Sequence, residues 1–156
     1  MASLNVPLWA LVVGLGLQVG AGIYEARVIV PLWASNPPAS VIEFFAQPMR
    51  PDSGGRFWIF LTPIVGLISL GNLVFAWSST GPGRSSWLFA AGASFAITVV
   101  TFAYFVPAIL LLPKADKLPA DVVTSKVQWW VRLNWVRAIV LAAAWLAALN
   151  AFAYGR

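Results

Sequence analysis

Four stretches of the chain are apolar almost without interruption, and the segments between them turn abruptly polar or rich in glycine and proline. The runs cover about 7–33, 57–77, 87–112 and 129–154. Each reaches the roughly 20 residues that cross a bilayer as a helix. Trp and Tyr stand near many of their ends, where amphipathic rings sit at a lipid–water boundary. The pattern predicts an all-α fold, an integral membrane four-helix bundle. A single transmembrane domain is expected over 1–156, with helices at about 7–33, 57–77, 87–112 and 119–154. The first run lacks a basic leader and continues past Gly22 without a clear cleavage signal, so it reads as a helix and not a removed signal peptide. No repeat, low-complexity tract or soluble domain stands out.

The connections differ. SSTGPGRSS, from Ser78 to Ser86, is a tight turn that makes the second and third helices antiparallel neighbours. The first loop contains PPASVIEFFAQPM, with Pro38 placed to start a helix, Pro48 to stop it, and Val41, Ile42, Phe44 and Phe45 between. A short interfacial helix is expected there. In PKADKLPADVVTSKVQ, Pro119 fits a first helical turn, so the fourth helix should begin in water and enter the membrane near Trp129.

Composition strengthens the membrane reading. Hydrophobic residues make up 60% of the 156, and charged residues only 10%, against roughly 25% in a soluble domain. That excess is more than a core of this size can bury, so lipid must solvate much of the surface. The chain has no cysteine and no histidine. This removes disulfides, thiolate chemistry, His-based metal or haem ligation and the usual general base. No metal and no cofactor is expected. The net charge of +5 sits beside apolar helices, which favours membrane lipids or an acidic ligand as partners over nucleic acid.

The charges are placed unevenly. On the side of the two termini (side A) lie Arg84 and Arg156. The side of loops 1 and 3 (side B), with the adjoining helix ends, holds Arg27, Arg50, Arg56, Lys114, Lys117, Lys126, Arg132 and Arg137, and all five acids: Glu25, Glu43, Asp52, Asp116 and Asp121. Counting Lys and Arg places loops 34–56 and 113–128 in the cytoplasm of a plasma (inner) membrane protein, with both termini outside.

Depth picks out candidate chemistry. Counted from Trp33 and Trp129 as interface markers, Glu25 and Arg137 each lie roughly 12 Å into the bilayer. Tyr104 and Thr62 fall at roughly 13 and 8 Å. Charged groups at such depth face the bundle interior and pair, so Glu25 is expected to meet Arg137. Arg27, two residues on, points elsewhere and should snorkel or meet another helix. Trp130, Asn134 and Arg137 share one face at i, i+4, i+7. Deeper, Gln18 and Asn72 come to similar depth and are expected to hydrogen-bond each other. Gly16 and Gly20 form a GxxxG that favours close helix packing. Pro63 and Pro107 are expected to kink the second and third helices and open the bundle toward side B.

WWVRLNWVRAIVLAAAWLAALNAF, carrying Trp130, Asn134 and Arg137, resembles the last helix of the anthrone-oxygenase-like family of small four-helix membrane proteins. The Gly-rich first helix leading into GIYEARVIVPLW, closed by Pro31, is similar to that family's opening. The resemblance implies oxygenation of anthrones to anthraquinones, described for some fungal members, without metal or flavin. An anthrone carries an acidic CH₂ conjugated with an aromatic carbonyl. Its oxidation needs a carboxylate base, a cation near the developing oxyanion and aromatic walls. Glu25 and Arg137 are the candidate catalytic pair. Asn134, Tyr104, Trp58, Thr62 and Trp130 are the candidate ligand-binding residues.

Other readings remain open from sequence. Glu25–Arg137 can be a purely structural ion pair. The protein can bind a lipophilic, carbonyl-bearing or anionic small molecule, with or without catalysis. It can form a homo-oligomer or serve as an accessory subunit of a larger membrane complex, its Trp-rich faces against partners. A transporter is disfavoured, because four helices without a repeat enclose a small pathway. An internal pocket would favour the small-molecule reading, and a flat apolar face without one would favour the subunit.

Overall fold

The computed structural model describes residues 2–48 and 55–154, with side chains from residue 6. Arg50, Asp52 and Arg156, used in the charge count, lie outside the described residues. Helix α1, Ala2–Tyr24, continues through a π-helical turn, Glu25–Ile29, into α2, Val30–Ala34. The loop helix α3 spans Ala39–Ala46 and α4 spans Gly55–Ser78. Helix α5, Arg84–Val100, runs through a second π-helical turn, Thr101–Phe105, into α6, Val106–Leu111, and a 3₁₀ turn, Leu112–Lys117. The last helix, α7, is Ala120–Tyr154. Four helical rods are long and apolar enough to span a membrane: Val6–Ala34, Gly55–Ser78, Arg84–Lys117 and Ala120–Tyr154. No strand occurs among the described residues. The protein is a multi-pass helical membrane bundle.

The rods close a ring in which α1 packs on α4 and α7, and α5 packs on α4 and α7. Apolar side chains face both inward and outward, as they must when the surrounding solvent is lipid. Toward side A the interior is small and dry: Leu11, Leu15, Ala90, Ala91, Ala144 and Ala148 are fully buried. Toward side B a second cluster joins Val30, Trp33, Phe105, Val123, Val127 and Trp130 beneath α3, whose Val41 and Phe44 point into it. Trp33 is 1% exposed, so it is a core residue and not the interface marker expected. It meets Trp130 edge-on, with ring centroids 5.2 Å apart.

The two π-turns have one local cause. Each ends at a Val whose N–H reaches back five residues, from Val30 to the Glu25 carbonyl and from Val106 to the Thr101 carbonyl. In each case a proline follows, Pro31 or Pro107. Proline brings no N–H, and its ring crowds the carbonyl four residues back. Widening the preceding turn by one residue relieves that crowding. EARVIVP and TFAYFVP are therefore equivalent in spacing, although the two segments share little sequence beyond the closing Val-Pro. Helix α4 runs through Pro63 uninterrupted.

Other expectations are corrected. Asn72 does not bond Gln18. Its Nδ2 donates to the carbonyls of Pro7 and Ile68 at 3.0 and 2.8 Å, and its Oδ1 accepts from Trp87 Nε1 at 2.9 Å. One amide thus ties α1, α4 and α5. The GxxxG of α1 is not used as a pair either. A Cβ at Gly14 would lie 3.1 Å from Val65 and one at Gly16 would lie 3.2 Å from Trp145, whereas Gly20 meets nothing within 4 Å. The tightest approach is at Gly66, where a Cβ would come 2.6 Å from Thr98 Cγ2. Thr98 is β-branched and stiff, so glycine is what lets α5 lie this close to α4.

Candidate functional site

Buried polar groups gather between the two apolar clusters. Gln18 and Glu25 come from the first rod, Thr62 from α4, Thr98 and Thr101 from the third rod, and Asn134 and Arg137 from α7. Each is carried at helical spacing on an inward face. On the third rod, Ser94, Thr98 and Thr101 form one buried stripe. The hydroxyls of Thr98 and Thr101 donate to the carbonyls of Ser94 and Ile97.

At the centre, Arg137 Nη2 donates to Glu25 Oε2 at 3.4 Å, and both side chains are 11% exposed. The guanidinium also sits 4.7 Å from the Phe105 ring centroid and 5.6 Å from that of Trp58, both within cation–π range. Glu25 opens the first π-turn, and Thr101 and Phe105 bound the second. Both widened turns therefore place side chains on this layer. Arg27 lies elsewhere, exposed, 5.5 Å from the ring of Trp135.

Two spaces adjoin the pair. The outer one is a groove of about 420 Å³ between α4 and the third rod. It is lined by Glu25, Arg137, Trp58, Thr62, Trp130 and Phe105, with apolar walls from Ile59, Phe102, Ile109 and Leu110. Such a volume falls within the 300–1,000 Å³ typical of small-molecule sites. Ile59, Phe102 and Leu110 are exposed and belong to membrane-spanning rods, so the groove opens sideways toward hydrocarbon. The inner space is a chamber of about 20 Å³. It is lined by Gln18, Thr62, Thr98, Thr101, Asn134 and Arg137, among others. Trp58, Thr62, Thr101 and Arg137 form the wall common to both spaces.

A family model described as anthrone oxygenase matches residues 56–147, more than half of the chain. The chain belongs to the anthrone oxygenase family. The matched segment carries the α4, third-rod and α7 contributions to the site. Gln18 and Glu25 precede it. No curated protein and no solved structure matches the chain.

Of the family member's sequence-derived candidates, Glu25, Arg137, Trp58, Thr62 and Trp130 line the groove, and Asn134 lines the chamber. Tyr104 lines neither. It packs against the side B core and meets the Phe105 ring at 5.3 Å. Phe105 takes the place expected for it, since it continues the Ser94–Thr98–Thr101 stripe four residues beyond Thr101, whereas Tyr104 falls to one side. Gln18, Thr98 and Thr101 were missed. The Ser94–Thr98–Thr101 stripe was a readable signal, since three hydroxyls on one face of an apolar helix point inward. The depth of Gln18 suggested a partner in Asn72, which three other groups already occupy.

Proposed function

We propose that the groove binds a flat, lipophilic, carbonyl-bearing ring system drawn from the bilayer, and that Glu25 and Arg137 promote its oxygenation without a cofactor. The observation that carries this reading is a buried carboxylate–guanidinium pair at the inner end of an apolar groove open to lipid. An internal groove of this kind also favours the small-molecule reading over a purely accessory subunit. Trp130 lines the groove, and its indole N–H has no acceptor among the described residues.

The family name supplies the substrate class, an anthrone. In this reading Glu25 takes a proton from the CH₂, and the electron pair spreads onto the ring carbonyl, where Arg137 faces the growing negative charge. The carbanion is electron-rich enough to be oxidised directly by dioxygen. A C–O bond forms, and the peroxide picks up a proton. Loss of the second C–H proton with cleavage of the O–O bond then expels water and leaves C=O. The balance is CH₂ + O₂ → C=O + H₂O, with dioxygen as the oxidant.

Purified protein in lipid nanodiscs, given anthrone and air, is expected to consume anthrone and dioxygen one to one and yield anthraquinone, with or without a chelator. The absence of both accelerated turnover and quenching of Trp58 and Trp130 fluorescence by anthrone would overturn the proposal.

The same reading keeps side B, where the groove lies, in the cytoplasm of a plasma membrane protein. Since the chain has no cysteine, single cysteines report cleanly. Thr80→Cys is expected to label from outside intact cells and Ser125→Cys only after permeabilisation. The reverse pattern would invert the topology.

A further inference from the structure

The inner chamber is polar where the groove is apolar, and it is built around two side chains that lack partners. Gln18 is 5% exposed and Asn134 is 3% exposed. Among the described residues, Gln18 Oε1 and Asn134 Oδ1 meet no donor. A buried polar atom left unpaired is costly, and both residues line this one space, which points to an occupant. The space is about 20 Å³, enough for one water-sized group, which needs about 10–15 Å³. No ring system fits there. Arg137 lines the same space and has more N–H donors than the Glu25 contact uses. The hydroxyls of Thr98 and Thr101 add acceptors.

We infer that the inner chamber is an oxygen subsite. It holds one hydrogen-bonding oxygen, and Gln18 and Asn134 grip that oxygen together with Arg137. Water fits when no ligand is present, because it donates to the two amide oxygens and accepts from the guanidinium. A carbonyl oxygen at the edge of a ring fits in its place. Each amide can turn by half a rotation and present its NH₂, so the acceptors that suit water become donors that suit a carbonyl or an enolate. The chamber shares its wall with the groove, so a ring in the groove can send one oxygen through it. This assignment rests on the groove being a ligand site. It gives Gln18, which lies outside the family-matched segment, a direct role in ligand recognition.

Anthrone and anthracene separate the two spaces experimentally, since they have the same three-ring frame and only anthrone bears oxygen. Their anaerobic affinities are measured on nanodisc-embedded protein by tryptophan quenching, for the unaltered chain and for Gln18→Met with Asn134→Leu. The unaltered protein is expected to favour anthrone over anthracene by at least about tenfold, as one or two added hydrogen bonds provide. The double variant should erase that preference and leave anthracene binding unchanged. Retained anthracene binding also shows that the variant has folded. Equal binding of the two ligands by the unaltered protein, or an undiminished preference in the variant, would overturn the inference while leaving the groove reading intact. If neither ligand binds, the functional reading fails and the ligand-free structure decides the chamber. At a resolution that shows ordered water, one water bonded to both amides sustains the oxygen subsite, and a dry chamber ends it.

Discussion

Glu25→Gln is expected to cut anthrone oxygenation by about 10²–10⁴-fold, the usual worth of a positioned general base, with anthrone affinity little changed. The substitution keeps the shape of the side chain and removes only its basicity. A Gln Oε1 can still accept from Arg137 Nη2, which now donates to Glu25 at 3.4 Å. The groove walls come from other residues and remain. Rate and affinity should therefore separate: dioxygen uptake collapses, while quenching of the groove tryptophans by anthrone persists. Unchanged turnover would place the base elsewhere. An affinity loss as large as the rate loss would make Glu25 a binding residue, not a base.

The parts of this site that the sequence revealed were those governed by cost. Lipid tolerates neither a bare backbone nor an unpaired charge. Run lengths therefore gave the four rods, and equal depth paired Glu25 with Arg137 over a sequence separation of 112. What stayed hidden depends on local phase. Depth counting gives distance along a helix and not the direction a side chain faces, so it does not separate Tyr104 from Phe105, its neighbour in the chain. The face set by Ser94, Thr98 and Thr101 runs on to Phe105, and that ring, not Tyr104, meets the guanidinium. Pro31 and Pro107 were visible, and their like spacing to Glu25 and Thr101 was the available clue to the two widened turns. Gln18 was hidden for another reason. A buried amide advertises a need for partners but not their identity, and Asn72 was the nearest match by depth alone. Trp33 shows the same limit, since a tryptophan near a helix end serves equally well at an interface or under a loop helix such as α3.

Arg137→Met alone is expected to lower stability by about 3–5 kcal/mol, because it strands the buried Glu25 carboxylate without its guanidinium partner. The loss includes two cation–π contacts, to Phe105 at 4.7 Å and Trp58 at 5.6 Å. Glu25→Met with Arg137→Met should recover most of that loss. Removing both charges also removes the desolvation penalty that offsets much of a buried pair's attraction. Arg137→Lys should fall between. It keeps the charge but not the planar group that faces two rings and a carboxylate at once. Thermal unfolding of the four proteins in one nanodisc composition gives the order: unaltered, double variant, Lys variant, Met variant. A double variant as unstable as Arg137→Met would show that the pair is needed to hold the rods together, and the site would then read as structure. A double variant that is stable, binds anthracene and has lost oxygenation separates the two roles. In that outcome the fold does without the charges, and their cost is met by the chemistry proposed for them at the end of the groove.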